Sequence, residues 1–335
     1  MAVLQTRCFA IAEKVLDEQN TRIDMTFCRK VSRFIRYLHN GFLANFYEPG
    51  WRTYVQYNDG RPILLSPAVH GGLRQFVADP FLFRYDGANW LFYETVDDNW
   101  KGKIGCFKEE DGRWVSKGIV LERPWHMSYP QVFEEDGHVY MIPEQSALGK
   151  GNVSIYEATD FPGGWVLRAV LIDRPFADAT LVMRNGHYYM ACYTLPPHES
   201  AELWHSETLW GPWMRHPMWN RINQSCRLRR CGGSFAEFNG ELCRVAQDCN
   251  GCYGKRLFKI PIEKLTPTEY QEGCASILLD QTTWPHRLKH TFNLMDVDGQ
   301  HMSTFDTHHK VRMPIADCLK VLLRRINRMA RASMS

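Results

Sequence analysis

The chain lacks any run approaching the ~20 apolar residues that cross a bilayer as a helix. Its opening, MAVLQTRCFAIAEKVLDEQ, lacks the uninterrupted apolar core of a secretory signal. There is no GxGxxG, no GxxxxGK[ST], no HExxH and no GxSxG. These absences remove the standard signatures of dinucleotide binding, P-loop phosphate binding, zincin proteolysis and α/β-hydrolase chemistry. No cofactor is required by the sequence. Charge of one sign is also scarce: 40 Lys+Arg against 37 Asp+Glu give a net +3, which does not point to nucleic acid as a partner. The eleven cysteines are an odd number in a chain without an export signal, so reduced thiols in a cytoplasmic setting are expected. Cys249 and Cys252 have CxxC spacing, but the second pair of a zinc site is missing, and no metal is expected.

What the chain does have is a five-fold repeat. An Asx-Gly step recurs at Asp86-Gly87, Asp136-Gly137, Asn185-Gly186, Asn239-Gly240 and Asp298-Gly299, with glycine spacings of 50, 49, 54 and 59 residues. Apolar or aromatic runs flank each step, as in FLFRYDGANWLFY and QVFEEDGHVYMIP. Asn-Gly and Asp-Gly between such runs are strong hairpin signals, because both turn positions take positive φ. Five hairpins at a period near 50 suit four-stranded propeller blades rather than a helical solenoid. The expected fold is therefore an all-β five-bladed propeller.

The repeat serves as a ruler. Eight residues before each step glycine stand Asp79, Tyr129, Asp178, Gly232 and Thr291; seven after it stand Glu94, Glu144, Tyr193, Gln247 and Asp306. In a hairpin both offsets fall at the end away from the turn, so a propeller gathers them around one mouth. Paired carboxylates there suit glycosidic bond cleavage, in which one protonates the leaving oxygen and another activates water or attacks the sugar. Asp79, Glu144 and Asp178 are the candidate catalytic residues. Glu94, Tyr129, Tyr193, Gln247 and Asp306 are candidate sugar ligands by the same ruler. Arg244 and Asp248 flank Gln247 in the fourth repeat and add hydrogen-bonding capacity. Trp125 is a candidate stacking platform, His126 a ligand for a hydroxyl or phosphate, and His290 a further pocket residue at the start of the fifth repeat.

Three regions follow: a helical extension over 1–50, the propeller over 51–310, and a basic helix over 311–335. In the first, Val31, Phe34, Ile35, Leu38 and Phe42 recur at helical spacing among basic residues. Residues 51–76 open with an alternating run, Trp51, Tyr54, Val55 and Tyr57, expected as an outer strand that helps close the ring. In the last region Ile315, Leu319, Leu322 and Ile326 form one face and Lys320, Arg324, Arg325, Arg328 and Arg331 crowd the remainder. That pattern fits either a packed helix with a solvated face or a helix drawn to anionic lipid.

ADPFLF (78–83), WHMSYPQVFEEDGHVYMIPEQSA (125–147), DATLVMRNGHYYM (178–190) and RVAQDCNGCYGKRLF (244–258) resemble the N-terminal domain of plant glucosamine inositolphosphorylceramide transferases and its bacterial relatives. The bacterial relatives are associated with surface-polysaccharide genes. That domain is similar in turn to glycoside hydrolase family 43, a five-bladed propeller family. The resemblance spans roughly 74–310; the separate C-terminal domain of the plant proteins, which resembles a glycosyltransferase, lies beyond its reach. It implies that Asp79 takes the position of the family 43 base. Tyr129 stands in place of the second aspartate of that family, and Asp178 in place of its glutamate acid, so Glu144 becomes the substitute carboxylate. The implied role is glycosidic-bond chemistry on a cell-envelope polysaccharide or lipid-linked sugar, at the cytoplasmic side of the membrane. The alternatives are a glycan-binding propeller without catalysis and a scaffold in a polysaccharide assembly complex.

The terminal helix yields a test. Over 312–331 six cations oppose Asp317, a net +5. Each cation near an anionic bilayer contributes about 1 kcal/mol, and burial of the aliphatic face adds to it. Truncation after Met313 is expected to weaken co-sedimentation with anionic vesicles, and raised salt to do the same to the full chain. Indifference of the full chain to anionic vesicles at low salt would leave the helix as a structural cap.

Overall fold

In a computed structural model the described residues are 47–65, 76–97, 100–145, 151–195, 199–223, 227–250, 252–283 and 287–312. The helical extensions expected over 1–50 and 311–335 lie outside them, except where strands reach in: the first begins at Tyr47 and the last ends at Arg312. Among the described residues no helix is long and apolar enough to cross a membrane. The unit from Pro49 to His309 is the five-bladed all-β propeller.

Four blades are meanders built consecutively along the chain. Blade 1 holds β3 (Ala78–Tyr85), β4 (Ala88–Val96), β5 (Gly102–Glu110) and β6 (Arg113–Leu121). Blade 2 holds β7 (Ser128–Glu135), β8 (His138–Glu144), β9 (Val153–Asp160) and β10 (Gly163–Ile172). Blade 3 holds β11 (Phe176–Arg184), β12 (His187–Thr194), β13 (Ser200–Ser206) and β14 (Met214–Arg215). Blade 4 holds β15 (Ala236–Phe238), β16 (Glu241–Asp248), β17 (Arg256–Leu265) and β18 (Tyr270–Glu272), with β19 (Ser276–Leu279) also on β17. Blade 5 is composite: β20 (Phe292–Val297) and β21 (Gln300–Arg312) pair with β1 (Tyr47–Tyr57) and β2 (Ile63–Leu65), in the order β2-β1-β21-β20. The N-terminal strand thus completes the last blade and closes the ring, hiding edges that would otherwise stay open.

All five Asx-Gly steps are two-residue turns between the first two strands of a chain-order hairpin, with pairs such as Tyr85↔Ala88 and Val297↔Gln300 closing them. The Asx residues have φ of 47–53° and the glycines 69–80°. These are the left-handed angles that favour Asx-Gly in tight hairpins.

Apolar clusters lie between neighbouring blades. Phe83, Trp90, Phe92 and Ile104 of blade 1 meet Met141, Tyr156 and Trp165 of blade 2. Tyr140 and Ile142 of blade 2 meet Phe176, Leu181 and Met190 of blade 3. Similar clusters join blades 3 and 4, blades 5 and 1, and blades 4 and 5. Near the axis, polar pins take over. The Gln131 amide spans β7 to β11, donating to the Leu181 carbonyl (2.8 Å) and accepting the Leu181 N–H (2.7 Å). Asn293 accepts the Ser234 N–H (2.7 Å) and donates to the Pro80 carbonyl (2.5 Å), linking blades 4, 5 and 1.

Gly233 leads into blade 4 at φ 136°, and a Cβ there would stand 1.8 Å from the Phe292 carbonyl oxygen of blade 5. Backbone on both sides leaves no room to yield. Gly233→Ala is expected to cost about 3 kcal/mol or more, read as a fall in the urea midpoint. A change within the measurement error would show that blades 4 and 5 can separate without penalty.

Candidate functional site

The site begins with a backbone irregularity repeated in three blades. The first-strand pairing slips between Ala78 and Phe81, between Ser128 and Gln131, and between Ala177 and Thr180. Inside each bulge sits a residue of the ruler, Asp79, Tyr129 or Asp178, each with φ 47°. Bulges re-aim side chains and leave an amide outside the ladder. Here each such amide is taken by a carboxylate of the preceding blade. Asp79 N–H donates to Asp306 Oδ2 (3.0 Å), Tyr129 N–H to Asp79 Oδ2 (3.3 Å), and Asp178 N–H to Glu144 Oε2 (3.1 Å). The left-handed residues and the carboxylates therefore form one relay through blades 5, 1, 2 and 3.

Asp306 is fully buried and also accepts the N–H groups of His290 and Thr291, both at 3.0 Å. His290 Nδ1 lies 2.6 Å from Asp306 and 3.6 Å from Asp79, and its ring stacks on Trp51 at 3.8 Å between centroids. Thr291 Oγ1 donates to Asp79 Oδ1 at 2.7 Å. Burial opposes a charge on His290, yet the carboxylates of Asp306 and Asp79 push it up to about 9. Burial, aided by Glu94, Asp306 and Asp178 and opposed by His290, pushes Asp79 up to about 7. Asp79, His290 and Asp306 bring three donor atoms within 4.8 Å of one another, the spacing of a metal site. An imidazolium, however, has no free Nδ1 lone pair to offer a cation at neutral pH.

Across the mouth, Asp178 receives the Arg230 guanidinium as a two-pronged pair, Nε on Oδ2 and a second nitrogen on Oδ1 at 3.1 Å, and the Gln247 amide at 3.0 Å. Burial would raise its pKa, but the Arg230 charge and hydrogen bonds hold it below the ordinary aspartate value. Glu144 is the opposite case. Burial, then the neighbouring Asp178, hold it well above the ordinary range, against the partial offset of Arg230 at 4.0 Å. Two adjacent carboxyl groups are thus shifted in opposite directions, Glu144 upward and Asp178 downward.

Glu94 and His126 form a second pair at the rim of blade 1. His126 Nδ1 accepts the Gly102 N–H (2.9 Å), which leaves the proton on Nε2, 3.1 Å from Glu94. Burial works against the charged ring, but the Glu94 hydrogen bond and charge raise its pKa. Trp125 is 48% exposed, and its indole N–H donates to Gln145 at 3.2 Å. It keeps the open apolar face that a sugar platform needs. Beside Asp178 opens a pocket of about 520 Å³, lined by Tyr193, Glu199, Arg227, Arg229, Arg230 and Tyr253, among others, with Gln247 on its wall.

Several expected ligands have other work. The Tyr129 hydroxyl is fully engaged inside the ring: it meets Thr180 Oγ1 (2.9 Å), donates to the Gly233 carbonyl (3.1 Å) and accepts the Gly233 N–H (2.8 Å). It pins blades 2, 3 and 4 and does not meet a sugar. Arg244 is buried among the outer strands, where its Nε donates to Glu272 (2.6 Å) and another nitrogen to the Leu228 carbonyl (3.0 Å). Strand alternation puts Arg244 and Gln247 on opposite faces of β16, so only Gln247 reaches the site. Asp248 anchors Arg227 (3.2 Å) and Arg256 (3.4 Å). Asp306 and His290 are interior supports of Asp79 rather than surface ligands. Arg230, Arg227, Arg229 and Tyr253 escaped the ruler because they stand in irregular segments, although RLRR directly before the fourth repeat is a visible basic run.

A family described as glucosamine inositolphosphorylceramide transferase 1, N-terminal, matches residues 62–306. Glucosamine inositolphosphorylceramide transferase 1 of Oryza sativa subsp. japonica is 33% identical over 249 residues, covering 71% of this chain and 33% of that protein. Its Arabidopsis thaliana counterpart is 32% identical over 261 residues, covering 70% and 34%. The chain thus spans about a third of the length of the curated relatives it matches. Among solved structures, the GH43_1 enzyme from Xanthomonas citri complexed with xylose superposes with a TM-score of 0.51 at 12% identity, covering 71% of this chain and 90% of that one. That likeness bears on the fold alone.

The buried cluster makes stability depend on pH. His290 rises from its ordinary 6.5 to about 9 on folding, so its contribution is complete below pH 6.5 and lost as pH climbs through 9. Asp79, raised from 3.8 to about 7, acts in the same sense over that lower window. Urea unfolding is expected to show stability falling by on the order of 1–3 kcal/mol between pH 6.5 and 9.5, with a shallower fall in His290→Gln. An equal slope in the two proteins would mean that His290 is not the group that titrates.

Proposed function

Since the chain belongs to the family of the glucosamine inositolphosphorylceramide transferase 1 N-terminal region, we propose that it is a carbohydrate-active protein performing acid–base chemistry at a glycosidic bond. The observation that carries this reading is the divergence of Glu144 and Asp178, adjacent carboxyls shifted in opposite directions by burial and by Arg230. Environments that separate two such groups assign the acid and the base before any substrate arrives. Glu144 is the proton donor to the leaving glycosidic oxygen. Asp79, poised near pH 7, takes the proton of the attacking water or acceptor hydroxyl as the new bond to the anomeric carbon forms. Asp178 is engaged by Arg230 and Gln247, and serves to hold Glu144 and to stabilise positive charge developing on the sugar. Trp125, Tyr193 and Gln247 offer stacking and hydroxyl contacts at the mouth. Cell-envelope polysaccharide or glycolipid metabolism at the cytoplasmic face is the setting we infer; the relatives' names bear on the glycolipid part alone.

Glycan binding without turnover has its own support. Asp79 and Glu144 each accept an amide of the next blade, so both also have a structural reason to be there.

Catalysis and binding separate cleanly by mutation. With a glycan library and an aryl-glycoside series, Glu144→Gln is expected to lower turnover about 10²–10⁴-fold on poor leaving groups, and far less on good ones that need no proton. Asp79→Asn keeps an oxygen for the Tyr129 amide and is expected to lose turnover by a similar factor on every substrate. Full activity in a folded Glu144→Gln protein, on poor leaving groups as well, would remove it as the acid. Binding of glycans with no turnover by the unaltered chain would favour the second reading.

A further inference from the structure

The pocket next to Asp178 is lined by one arginine, Arg229, that the carboxylate cluster does not use. Three guanidinium groups line it, Arg227, Arg229 and Arg230, with Glu199 on the same wall and with Asp248 and Asp178 as the partners of Arg227 and Arg230. Arg230 is spent on Asp178. Arg227 and Arg256 share Asp248. Arg229 is placed differently. It donates from one terminal nitrogen to the Glu199 backbone carbonyl at 2.9 Å, a neutral partner. Its Nε is buried and meets no hydrogen-bond acceptor among the described residues. A guanidinium that is partly withdrawn from water and faces a neutral oxygen is an incomplete ion pair.

Two aromatic rings complete the wall. Tyr193 and Tyr253 flank Arg230 with their rings 5.8 and 5.4 Å from its guanidinium carbon. Aromatic faces beside hydrogen-bonding groups accommodate the apolar face of a pyranose. A cation within the same pocket then selects a ring that carries an anion. Guanidinium groups match phosphate and carboxylate alike, through paired N–H···O bonds.

We propose that this pocket is a subsite for the anionic group of a glycan, a phosphate or carboxylate borne on a sugar ring, with Arg229 as its counter-ion and Arg227 at its mouth. The proposal rests on the reading of the neighbouring carboxylates as a glycan site, and it deepens that reading by naming an acidic sugar as the substrate class. The anion would sit within one pocket of the ionised Asp178, and Arg230 between them screens the repulsion.

The test is calorimetric titration of the full chain with glucose 1-phosphate, glucuronate and glucose at low ionic strength. At least one anionic probe is expected to bind about 10- to 100-fold more tightly than glucose, the range of a charge-assisted hydrogen bond. The advantage should shrink as salt rises. It should vanish in Arg229→Gln, weaken in Arg227→Gln, whose side chain is 47% exposed and safer for folding, and survive in part in Arg229→Lys. Preference for the phosphate probe assigns a phosphosugar, and preference for glucuronate an acidic sugar. Equal affinity for charged and neutral sugars would overturn the subsite while leaving the glycan reading intact. An anion preference that persists in both glutamine variants would overturn the assignment to these arginines. Failure of all three probes would overturn the subsite whatever turnover the Glu144→Gln comparison shows.

Discussion

The structure depends on how the left-handed bulge at the head of an inner strand is satisfied. A non-glycine residue at positive φ carries strain, and its amide drops out of the sheet ladder. Buried inside a ring, that amide must find an acceptor. The acceptor is a carboxylate from the blade before: Asp306 for Asp79, Asp79 for Tyr129, Glu144 for Asp178. The same contact aims the acidic side chains at the mouth and fastens neighbouring blades near the axis, where the apolar clusters between blades give way to polar pins. The geometry of the carboxylate site and ring closure are therefore one problem, and a change to either disturbs both.

The breakdown of the relay at blade 4 is where the site acquires its individuality. Gly232 occupies the ruler position there, and the Gly233 amide goes to the Tyr129 hydroxyl from across the ring. An aspartate at 129 would be too short to make that reach while also meeting Thr180. The tyrosine that displaces a carboxylate is thus explained by the glycine that needs an acceptor two blades away. A Cβ at 232 would crowd Leu257, the His290 carbonyl and Gln247, while Arg230, from the irregular segment before blade 4, lowers the pKa of Asp178.

Much of this was legible from the Asx-Gly repeat because a two-residue hairpin fixes register rigidly. Once the five turns are known, residues at fixed offsets must meet at the other end of each strand pair, and Asp79, Glu144, Asp178 and Gln247 do come together there. The outer strand expected from Trp51 to Tyr57 closes the ring as blade 5 requires. What the ruler could not convey is depth. Tyr129 and Tyr193 hold equivalent-looking polar positions, yet one hydroxyl is consumed by three partners and the other lines an open pocket. Arg244 sits three residues from Gln247 on one strand, and period-2 alternation alone sends it to the opposite face. Arg229 and Arg230 belong to no repeat, so periodicity is silent on them, and the helices expected at the two ends lie outside the described residues.

The electrostatics constrain which chemistry the ring can support. Asp306 and Asp79 keep His290 charged, and His290 in return moderates the rise in Asp79. At the other side, Arg230 holds Asp178 down, while burial and then Asp178 push Glu144 up. His290 and Arg230 thus each temper a carboxyl group proposed to move a proton, Asp79 and Glu144 respectively. Arg230 bears on Glu144 and Asp178, and His290 bears on Asp79. A guanidinium does not titrate near neutral pH, so its pull on Asp178 and its partial offset at Glu144 hold across that range.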